Sequence, residues 1–309
     1  MSIRVFIDGA VGTTGLEIRE RLSDRPEIAL VTLDDAQRKD AAARAQALNA
    51  ADIVILCLPD DAARDAVAMI ANDRTRVIDA STAHRVADGW TYGFAELDPA
   101  NANRIATARF VSNPGCYPTG FLALVAPLVR DALIPADWPL TVNAVSGYSG
   151  GGKALIERFE QDAGLAFRDY GFTLAHKHIP EMQKHAGLAY APVFAPMVTR
   201  AYRGMIVEVP LPLAAMPGRP SRAALLDSLH RAYAGSALVR VHDDAPDELL
   251  IGTHDAGTDR LDLRVFAAAD GSQARLVATL DNLGKGAAGA AVQNLNIMAG
   301  LDPVAGLTC

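Results

Sequence analysis

The sequence has little cysteine, no long apolar run and no cluster of basic residues, and each scarcity excludes a class of protein. Its three cysteines, Cys57, Cys116 and Cys309, are too few and too widely spaced for a disulfide framework or a zinc site. A net charge of −7 without any Lys/Arg-rich run argues against nucleic-acid or anionic-membrane partners. No apolar run approaches the roughly 20 residues that span a bilayer, and no signal peptide is recognisable. We therefore expect a soluble, cytoplasmic protein, and small polar metabolites remain open as its ligands.

The residues that are present can build a large core, because 50% of the 309 are hydrophobic. Short β-branched runs, such as Ile28 to Leu33 and Ile53 to Leu58, alternate with helical patterns in the first third. This order is typical of a parallel sheet covered by helices, as in a Rossmann-like α/β fold. Beyond about Leu133 the runs are short and separated by turns, which indicates a second, α+β part with a mixed or antiparallel sheet.

A glycine turn follows the first predicted strand, Ile3 to Ile7, and precedes a helical pattern. Its spacing is Gly9-x-x-Gly12-x-x-Gly15, a variant of the dinucleotide-binding turn. Glycines let the backbone approach a pyrophosphate, and the helix N-terminus holds its charge. The candidate cofactor-binding residues in this turn are Gly9, Val11, Gly12, Thr13, Thr14 and Gly15.

Two further segments at predicted strand ends are candidates for cofactor contacts. Asp34 and Asp35 can bind a ribose 2′-hydroxyl, whereas Arg38 beside them can neutralise a 2′-phosphate; an exposed charged loop is equally compatible. Ser81 and Thr82 follow another strand, where ligands bind in open α/β sheets, but both residues also form turns.

The chain between the two parts contains Ser112-Asn113-Pro114-Gly115-Cys116-Tyr117-Pro118-Thr119. We expect a helix from about Thr119 to Leu133, with Cys116 just before it. Helix-terminal N–H groups stabilise a thiolate over a thiol, which makes Cys116 a candidate nucleophile. A buried loop cysteine is the alternative. Cys57 lies inside an apolar strand and is expected only to pack.

Four motifs in the second part carry polar chemistry. His176 and His178, with Glu181 nearby, suit a general base for the cysteine better than a metal site, and an extended segment would place both rings on one face. The turn from Ser146 to Lys153 is glycine-rich and can hold phosphate, although it is not a P-loop. Either Arg200 or Arg203 can clamp a carboxylate or phosphate. A last helix, from Asp281 to about Met298, begins with an anion-binding N-terminus.

The combination resembles the N-acetyl-gamma-glutamyl-phosphate reductases, specifically their short form. The matching motifs, in chain order, are the glycine turn, SNPGCYPT (112–119), SGYSGGGK (146–153), HKHIPE (176–181), RGM (203–205) and DNLGKGAAGAAVQN (281–294). The resemblance implies NADPH-dependent reduction of N-acetylglutamyl 5-phosphate to the 5-semialdehyde in arginine synthesis, by a homo-oligomer (dimer or tetramer). The alternatives are a semialdehyde dehydrogenase for aspartate or for a carrier-linked aminoadipate, and a non-catalytic NADP(H) sensor.

The resemblance also implies domains and residue roles. Residues 1–115 would bind NADP(H), 116–282 would be the catalytic and oligomerisation domain, and the helix in 283–309 would pack back on the first domain. Cys116 would form a thioester, with His178 as acid/base and His176 as the alternative. No metal is expected. The other implied contacts are Asn113, Ser149, Lys153, Glu181 and Arg203 for the substrate, and Arg38, Ser81, Thr82, Gly150, Asn282 and Lys285 for the cofactor.

Overall fold

A computed structural model of the chain describes residues 2–251 and 257–309, which divide into two compact units. The described residues of unit 1 lie within Met1–Ala95, Ala100–Pro114 and Ala287–Leu307. Those of unit 2 lie within Glu96–Pro99, Gly115–Gly286 and Thr308–Cys309.

Unit 1 alternates strands with helices. Its elements up to the crossing into unit 2 are β1 (Ile3–Asp8), α1 (Thr13–Leu22), β2 (Ile28–Val31), α2 (Ala41–Ala50), β3 (Ile53–Leu56), α3 (Asp60–Ala68), β4 (Arg76–Asp79), β5 (Thr91–Tyr92), α4 (Asn101–Thr107) and β6 (Phe110–Ser112). The six strands form one parallel sheet in the order β2-β1-β3-β4-β6-β5. This is the predicted Rossmann-like arrangement.

The order in which the chain adds strands to the sheet reverses between β1 and β3, which places the glycine turn at a topological switch point. The chain leaves β1 for β2 on one side and returns to β3 on the other. The Cys57 N–H, just after β3, donates to the Asp8 carbonyl oxygen at the end of β1 (2.8 Å). Ligands of open α/β sheets bind at the carboxyl ends of strands beside such a point.

Unit 2 is built around a second sheet. The remaining elements are α5 (Cys116–Arg130), β7 (Thr141–Gly147), α6 (Gly152–Gln161), β8 (Phe167–Asp169), α7 (Ile179–Ala186), β9 (Val193–Thr199), β10 (Met205–Leu211), α8 (Arg222–Tyr233), β11 (Val239–His242), β12 (Leu261–Ala267), β13 (Ala274–Leu280) and, in unit 1, α9 (Gly289–Ala299). A π-helical turn, Gly284–Ala288, precedes α9. The seven-stranded sheet has the order β11-β12-β13-β10-β7-β9-β8 and is mixed, as predicted.

Helix α5 is the central element of unit 2. Every residue from Tyr117 to Leu128 is buried, which is expected of a helix that is apolar on all sides. It packs on β10, β12 and β13, and a Cβ atom at Gly120 would come within 2.8 Å of Val207 Cγ2 on β10. The cysteine at its first residue is therefore attached to a helix buried in the core of the unit.

The structure corrects two sequence predictions near the candidate site. Helix α5 begins at Cys116, three residues before the predicted Thr119, because Pro118 lies in the first turn, where backbone N–H groups have no intrahelical partner. The segment with His176 and His178 is a turn, not an extended strand. His178 is the N-cap of α7, which has a proline, Pro180, in its first turn.

Candidate active site

Cys116 occupies the first position of α5, and no side chain caps this helix N-terminus. The N-cap residue, Gly115, has an extended backbone, and the first turn contains no acidic side chain. The N-terminal end of the helix dipole therefore favours negative charge beside the Cys116 sulfur. This is the environment in which a cysteine reacts as a thiolate.

A buried carboxylate holds the residue before the cysteine. The Gly115 N–H donates to Glu181 Oε1 at 2.8 Å, and the Glu181 side chain is buried in the first turn of α7. The positive end of the α7 dipole stabilises that carboxylate. Thr119 Oγ also donates to the Gly115 carbonyl oxygen (2.9 Å). Glu181 thus contacts the backbone of the cysteine turn, a partner that the sequence did not indicate.

The two histidines contact each other and the tyrosine beside the cysteine. The His178 N–H donates to His176 Nδ1 (3.2 Å), and the ring centroids are 4.8 Å apart. The Tyr117 ring lies 6.3 Å from that of His176 and 5.9 Å from that of His178. Because Nδ1 of His176 accepts a hydrogen bond, the neutral ring carries its proton on Nε2.

Burial, and to a smaller extent the charge of Lys177, lowers the pKa of His176 to about 4. Its ring is packed among Tyr117, Tyr170 and Phe194. His176 is therefore neutral near pH 7 and is a poor proton carrier there. This argues against His176 as the acid/base and leaves His178 as the candidate.

Two tyrosines near the cysteine were not singled out from the sequence. Tyr117 Oη donates to the Met197 carbonyl oxygen (3.0 Å). Burial, followed by smaller effects that include the negative charge of a Cys116 thiolate, raises the pKa of Tyr117 and of Tyr170. Both phenols stay protonated and can only donate or accept hydrogen bonds. The signal available was the position of Tyr117 directly after the cysteine.

A second polar cluster lies where β13 ends and β10 begins. Asn282 Nδ2 donates to Ser149 Oγ (2.9 Å), and Asn282 Oδ1 accepts from the Gly204 N–H (3.0 Å). Arg203 Nε lies 2.9 Å from Oδ2 of the fully buried Asp281. A Cβ atom at Gly150 would be 3.3 Å from Asn282 Nδ2. The structure therefore brings together four predicted residues, namely Ser149, Gly150, Arg203 and Asn282.

The other predicted cations of unit 2 lie in different surroundings. Arg200 donates from Nε to the Leu165 carbonyl oxygen (2.8 Å) and from Nη2 to that of Asp162, which closes the turn after α6. Lys153 is exposed at the second position of α6. Lys285 is buried and pairs with Glu96. Of the two arginines, only Arg203 lies beside the polar cluster of Ser149 and Asn282.

In unit 1 the three glycines of the glycine turn are required for different structural reasons. Gly9 has φ +91°, and a Cβ atom there would lie 2.3 Å from the Cys57 carbonyl oxygen. At Gly15 a Cβ atom would lie 2.4 Å from the Gly9 carbonyl oxygen, so both positions need glycine for the turn itself. At Gly12, the N-cap of α1, the same atom would meet only Gly9 O, at 3.4 Å, and no side chain caps the helix. Gly12 leaves the backbone open to a ligand. Val11 lies in the turn before it, and Thr13 and Thr14 begin α1, so the turn fits a pyrophosphate.

The predicted residues at the end of β4 hydrogen-bond to carboxylates. Ser81 Oγ donates to Asp79 Oδ2 (2.7 Å), and Thr82 Oγ1 donates to Asp60 Oδ2 (2.5 Å). His84 Nδ1 also lies 2.6 Å from Asp79 Oδ2. The fully buried Asp79 thereby organises this strand end.

Asn113 and Arg38 also have partners within unit 1. Asn113 Nδ2 donates to the Ala287 carbonyl oxygen (3.0 Å), and its Oδ1 accepts from Asn294 Nδ2 (3.0 Å). Arg38 forms an ion pair with Asp35, whose side chain is 96% exposed. An exposed pair of this kind is weak, so a phosphate dianion can replace Asp35.

Cys57 differs from Cys116 in its chemistry. Burial raises its pKa to about 12, with further contributions from Asp79 and Asp8. It packs in the apolar core between the sheet and α9. A thiol of this kind stays protonated and inert near neutral pH, in agreement with the expected packing role.

The described residues contain no group of three or more His, Cys, Asp or Glu arranged to hold a metal ion. In the same part of the chain, no helix has the length and apolar character needed to cross a membrane.

The comparisons with known proteins assign this chain to one class of enzyme. Residues 4–107 match the family model for the semialdehyde dehydrogenase NAD binding domain, and residues 116–282 match the one for the semialdehyde dehydrogenase dimerisation domain. These matches confirm the dinucleotide cofactor and indicate a homo-oligomer. Among solved structures, aspartate semialdehyde dehydrogenase from Francisella tularensis matches with a TM-score of 0.72, at 15% identity over 96% of this chain and all of that one (100%). Aspartate semialdehyde dehydrogenase II from Vibrio cholerae gives 0.70, at 18% identity over 97% and 98%.

Closer relatives narrow the class. The N-acetyl-gamma-glutamyl-phosphate reductase of Trichormus variabilis is 49% identical over 98% of this chain and 99% of its own length. That of Rhizobium meliloti is 50% identical over 96% and 99%. The chain belongs to the N-acetyl-gamma-glutamyl-phosphate reductase family, which confirms the resemblance drawn from the motifs.

Proposed function

We propose that the protein reduces N-acetyl-L-glutamyl 5-phosphate to the 5-semialdehyde with NADPH and releases phosphate, a step of arginine biosynthesis. The observation that carries this proposal is Cys116 at the uncapped first position of α5, with its turn held by Glu181. The substrate is proposed from the names of relatives that are about half identical over nearly the whole chain.

The cysteine divides the reduction into two steps. The Cys116 thiolate attacks the acyl carbon, the carbon–sulfur bond forms and the carbon–oxygen bond to phosphate breaks. NADPH, when bound, supplies the hydride that converts the thioester to a hemithioacetal oxyanion. Collapse of this species releases the aldehyde and regenerates the thiolate.

The surrounding side chains stabilise charge and move protons. Backbone N–H groups in the first turn of α5 are suited to hold the oxyanion. His178, the N-cap of α7, donates and accepts the proton on the reacting oxygen. Arg203 is suited to bind the substrate's carboxylate, with Ser149, Gly150 and Lys153 as donors to phosphate.

Measuring the reverse reaction with three semialdehydes tests the substrate. N-acetylglutamate, aspartate and carrier-linked aminoadipate semialdehydes are each mixed with NADP⁺ and phosphate, and NADPH formation is followed. The proposal predicts the highest kcat/KM for N-acetylglutamate semialdehyde, by at least about 100-fold, because groups buried for one substrate are left unpaired by another. Equal or greater turnover of either other aldehyde would show a different dehydrogenase, and NADPH binding without any turnover would show a sensor.

Cofactor choice is expected to depend on Arg38. Replacing it in Arg38→Met removes the cation available to a 2′-phosphate. We expect the KM for NADPH to rise about 10-fold or more, while the KM for NADH changes less than twofold, because a charge-assisted bond contributes roughly 1.5–3 kcal/mol. Lys39→Met is the matched control. Equal changes for both cofactors would mean that Arg38 does not contact the 2′-phosphate.

We further propose that the oligomer is a dimer formed through the open face of the unit 2 sheet. On β7, β10 and β12 the residues on one face are buried, while the alternate residues, among them Asn143, Ile206 and Phe266, are exposed or half-buried. This face includes a cavity of about 670 Å³ lined by Trp138, Phe266 and several prolines, with the Glu208–Arg275 ion pair. Light scattering should give twice the chain mass; four times would require a second interface, and the chain mass itself would contradict the proposal.

A cytoplasmic location is part of the same proposal, because a catalytic thiolate and three cysteines outside any disulfide suit a reducing compartment.

A further inference from the structure

The turn that precedes α9 contacts the cysteine at a residue without a side chain. A Cβ atom built on Gly286 would lie 2.9 Å from Cys116 Cβ and 3.4 Å from Cys116 Cα. Even one methyl group at this position would have to displace the cysteine or the turn. Gly286 therefore forms part of the surface against which the nucleophile packs.

This turn has an unusual conformation that is fixed at its start. Gly284–Ala288 is a π-helical turn, in which the Gly286 N–H donates to the Asp281 carbonyl oxygen (3.0 Å). The Asp281 carboxylate accepts from the N–H groups of Leu283 (2.8 Å) and Gly284 (3.2 Å). π-Helical turns are rare in proteins, and those that do occur are frequently found at functional sites. The hydrogen bonds to Asp281 maintain this conformation at the start of the turn.

A buried ion pair fixes the middle of the turn. Lys285 Nζ lies 2.9 and 2.8 Å from the two carboxylate oxygens of Glu96. The Lys285 side chain is 1% exposed and that of Glu96 is 13% exposed. Two charges withdrawn from water gain little net stability from pairing, but they impose one geometry on the segments that carry them. Because Lys285 precedes Gly286 in the chain, the ion pair also fixes the position of Gly286 against Cys116.

We propose that Lys285 and Glu96 are positioning residues for Cys116. Their ion pair holds the π-helical turn so that Gly286 packs against the nucleophile, while Glu181 holds Gly115 from α7. The inference rests on the proposed thioester chemistry. It differs from the cofactor-binding role that the sequence suggests for Lys285, because a contact to NADPH would affect cofactor affinity, whereas positioning affects the reactivity of the thiol.

Three variants separate the two roles. Glu96→Gln keeps the size of the side chain but removes its charge, Lys285→Met removes the ammonium group, and Gly286→Ala adds one methyl group beside Cys116. We expect each to lower kcat at saturating NADPH by about 10-fold or more, because small displacements of a reacting group are costly. The NADPH dissociation constant, measured by fluorescence, should change less than twofold. Arg231→Met removes an ion pair with Asp131 at the far end of α5 and is the matched control.

The rate of Cys116 alkylation by iodoacetamide provides a second readout that needs neither substrate nor cofactor. It is measured in a Cys309→Ser background at several pH values. We expect Glu96→Gln and Gly286→Ala to change the rate at least about threefold, since thiol reactivity depends on local charge and access. Gly286→Ala keeps the test valid if the charge variants do not fold. The proposal would be overturned if Gly286→Ala and the folded charge variants had unchanged kcat and unchanged alkylation rates. It would also be overturned if Lys285→Met bound NADPH more weakly but retained its kcat. If only the proposed function were wrong, the unsubstituted protein would show no reductase activity, but the substitutions would still change the rate of Cys116 alkylation.

Discussion

Cys116→Ser should lower kcat for reduction of N-acetylglutamyl 5-phosphate by at least about 10⁴-fold, because the serine hydroxyl is a far weaker nucleophile than a thiolate at neutral pH. The substitution changes one atom at the first position of α5, where the helix dipole favours a thiolate but leaves a serine hydroxyl protonated. NADPH should bind to the variant with unchanged affinity. Steady-state kinetics and fluorescence titration of the cofactor are the two measurements.

Cys57→Ser is the matched control for this prediction. Cys57 has a pKa raised to about 12 by burial and by two carboxylates, so it carries no thiolate at neutral pH. The control should retain kcat within about threefold, with any loss due to packing. Turnover retained in Cys116→Ser would remove this cysteine from the mechanism.

His178→Asn should lower kcat by about 10²- to 10⁴-fold, the usual contribution of a general acid/base. His176→Asn should lower it less than about 10-fold, because burial lowers the pKa of His176 to about 4 and its Nδ1 accepts from the His178 N–H. His176 does not change its protonation state near neutral pH. The pH dependence of kcat in that range should therefore persist in His176→Asn.

These two variants also test the alternative assignment. If His176→Asn abolished both activity and the pH dependence while His178→Asn kept them, His176 would be the proton carrier despite its buried ring. Circular dichroism and thermal unfolding of both variants should match the unsubstituted protein, since an effect on folding would lower the amount of active enzyme without changing the shape of the pH profile.

Local patterns in the sequence were sufficient to predict both sheets and the family. The alternation of apolar runs and helical patterns predicted a parallel sheet in the first unit, and this sheet is confirmed. The predicted residues Ser149, Asn282 and Arg203 do come together, because they flank the same end of three neighbouring central strands, β7, β13 and β10. The catalytic and binding roles assigned to these residues stay predictions.

Contacts between distant segments were not predictable. The Gly115–Glu181 and Lys285–Glu96 bonds join residues 66 and 189 positions apart, and no periodicity indicates such a pairing. The start of α5 at Cys116 was missed because two prolines suggested an irregular loop, whereas Pro118 is compatible with a first helical turn. His176 and His178 were expected on an extended segment, but Pro180 starts a helix there.

The thioester on Cys116 is the central claim, and intact-mass spectrometry tests it most directly. The protein is mixed with N-acetylglutamyl 5-phosphate without NADPH, quenched in acid and weighed. We predict one added N-acetylglutamyl group, mapped to Cys116 by peptide analysis, absent in Cys116→Ser and lost when NADPH is added before quenching. An unmodified protein that nevertheless reduces the substrate with NADPH, or an acyl group on another residue, would contradict the account.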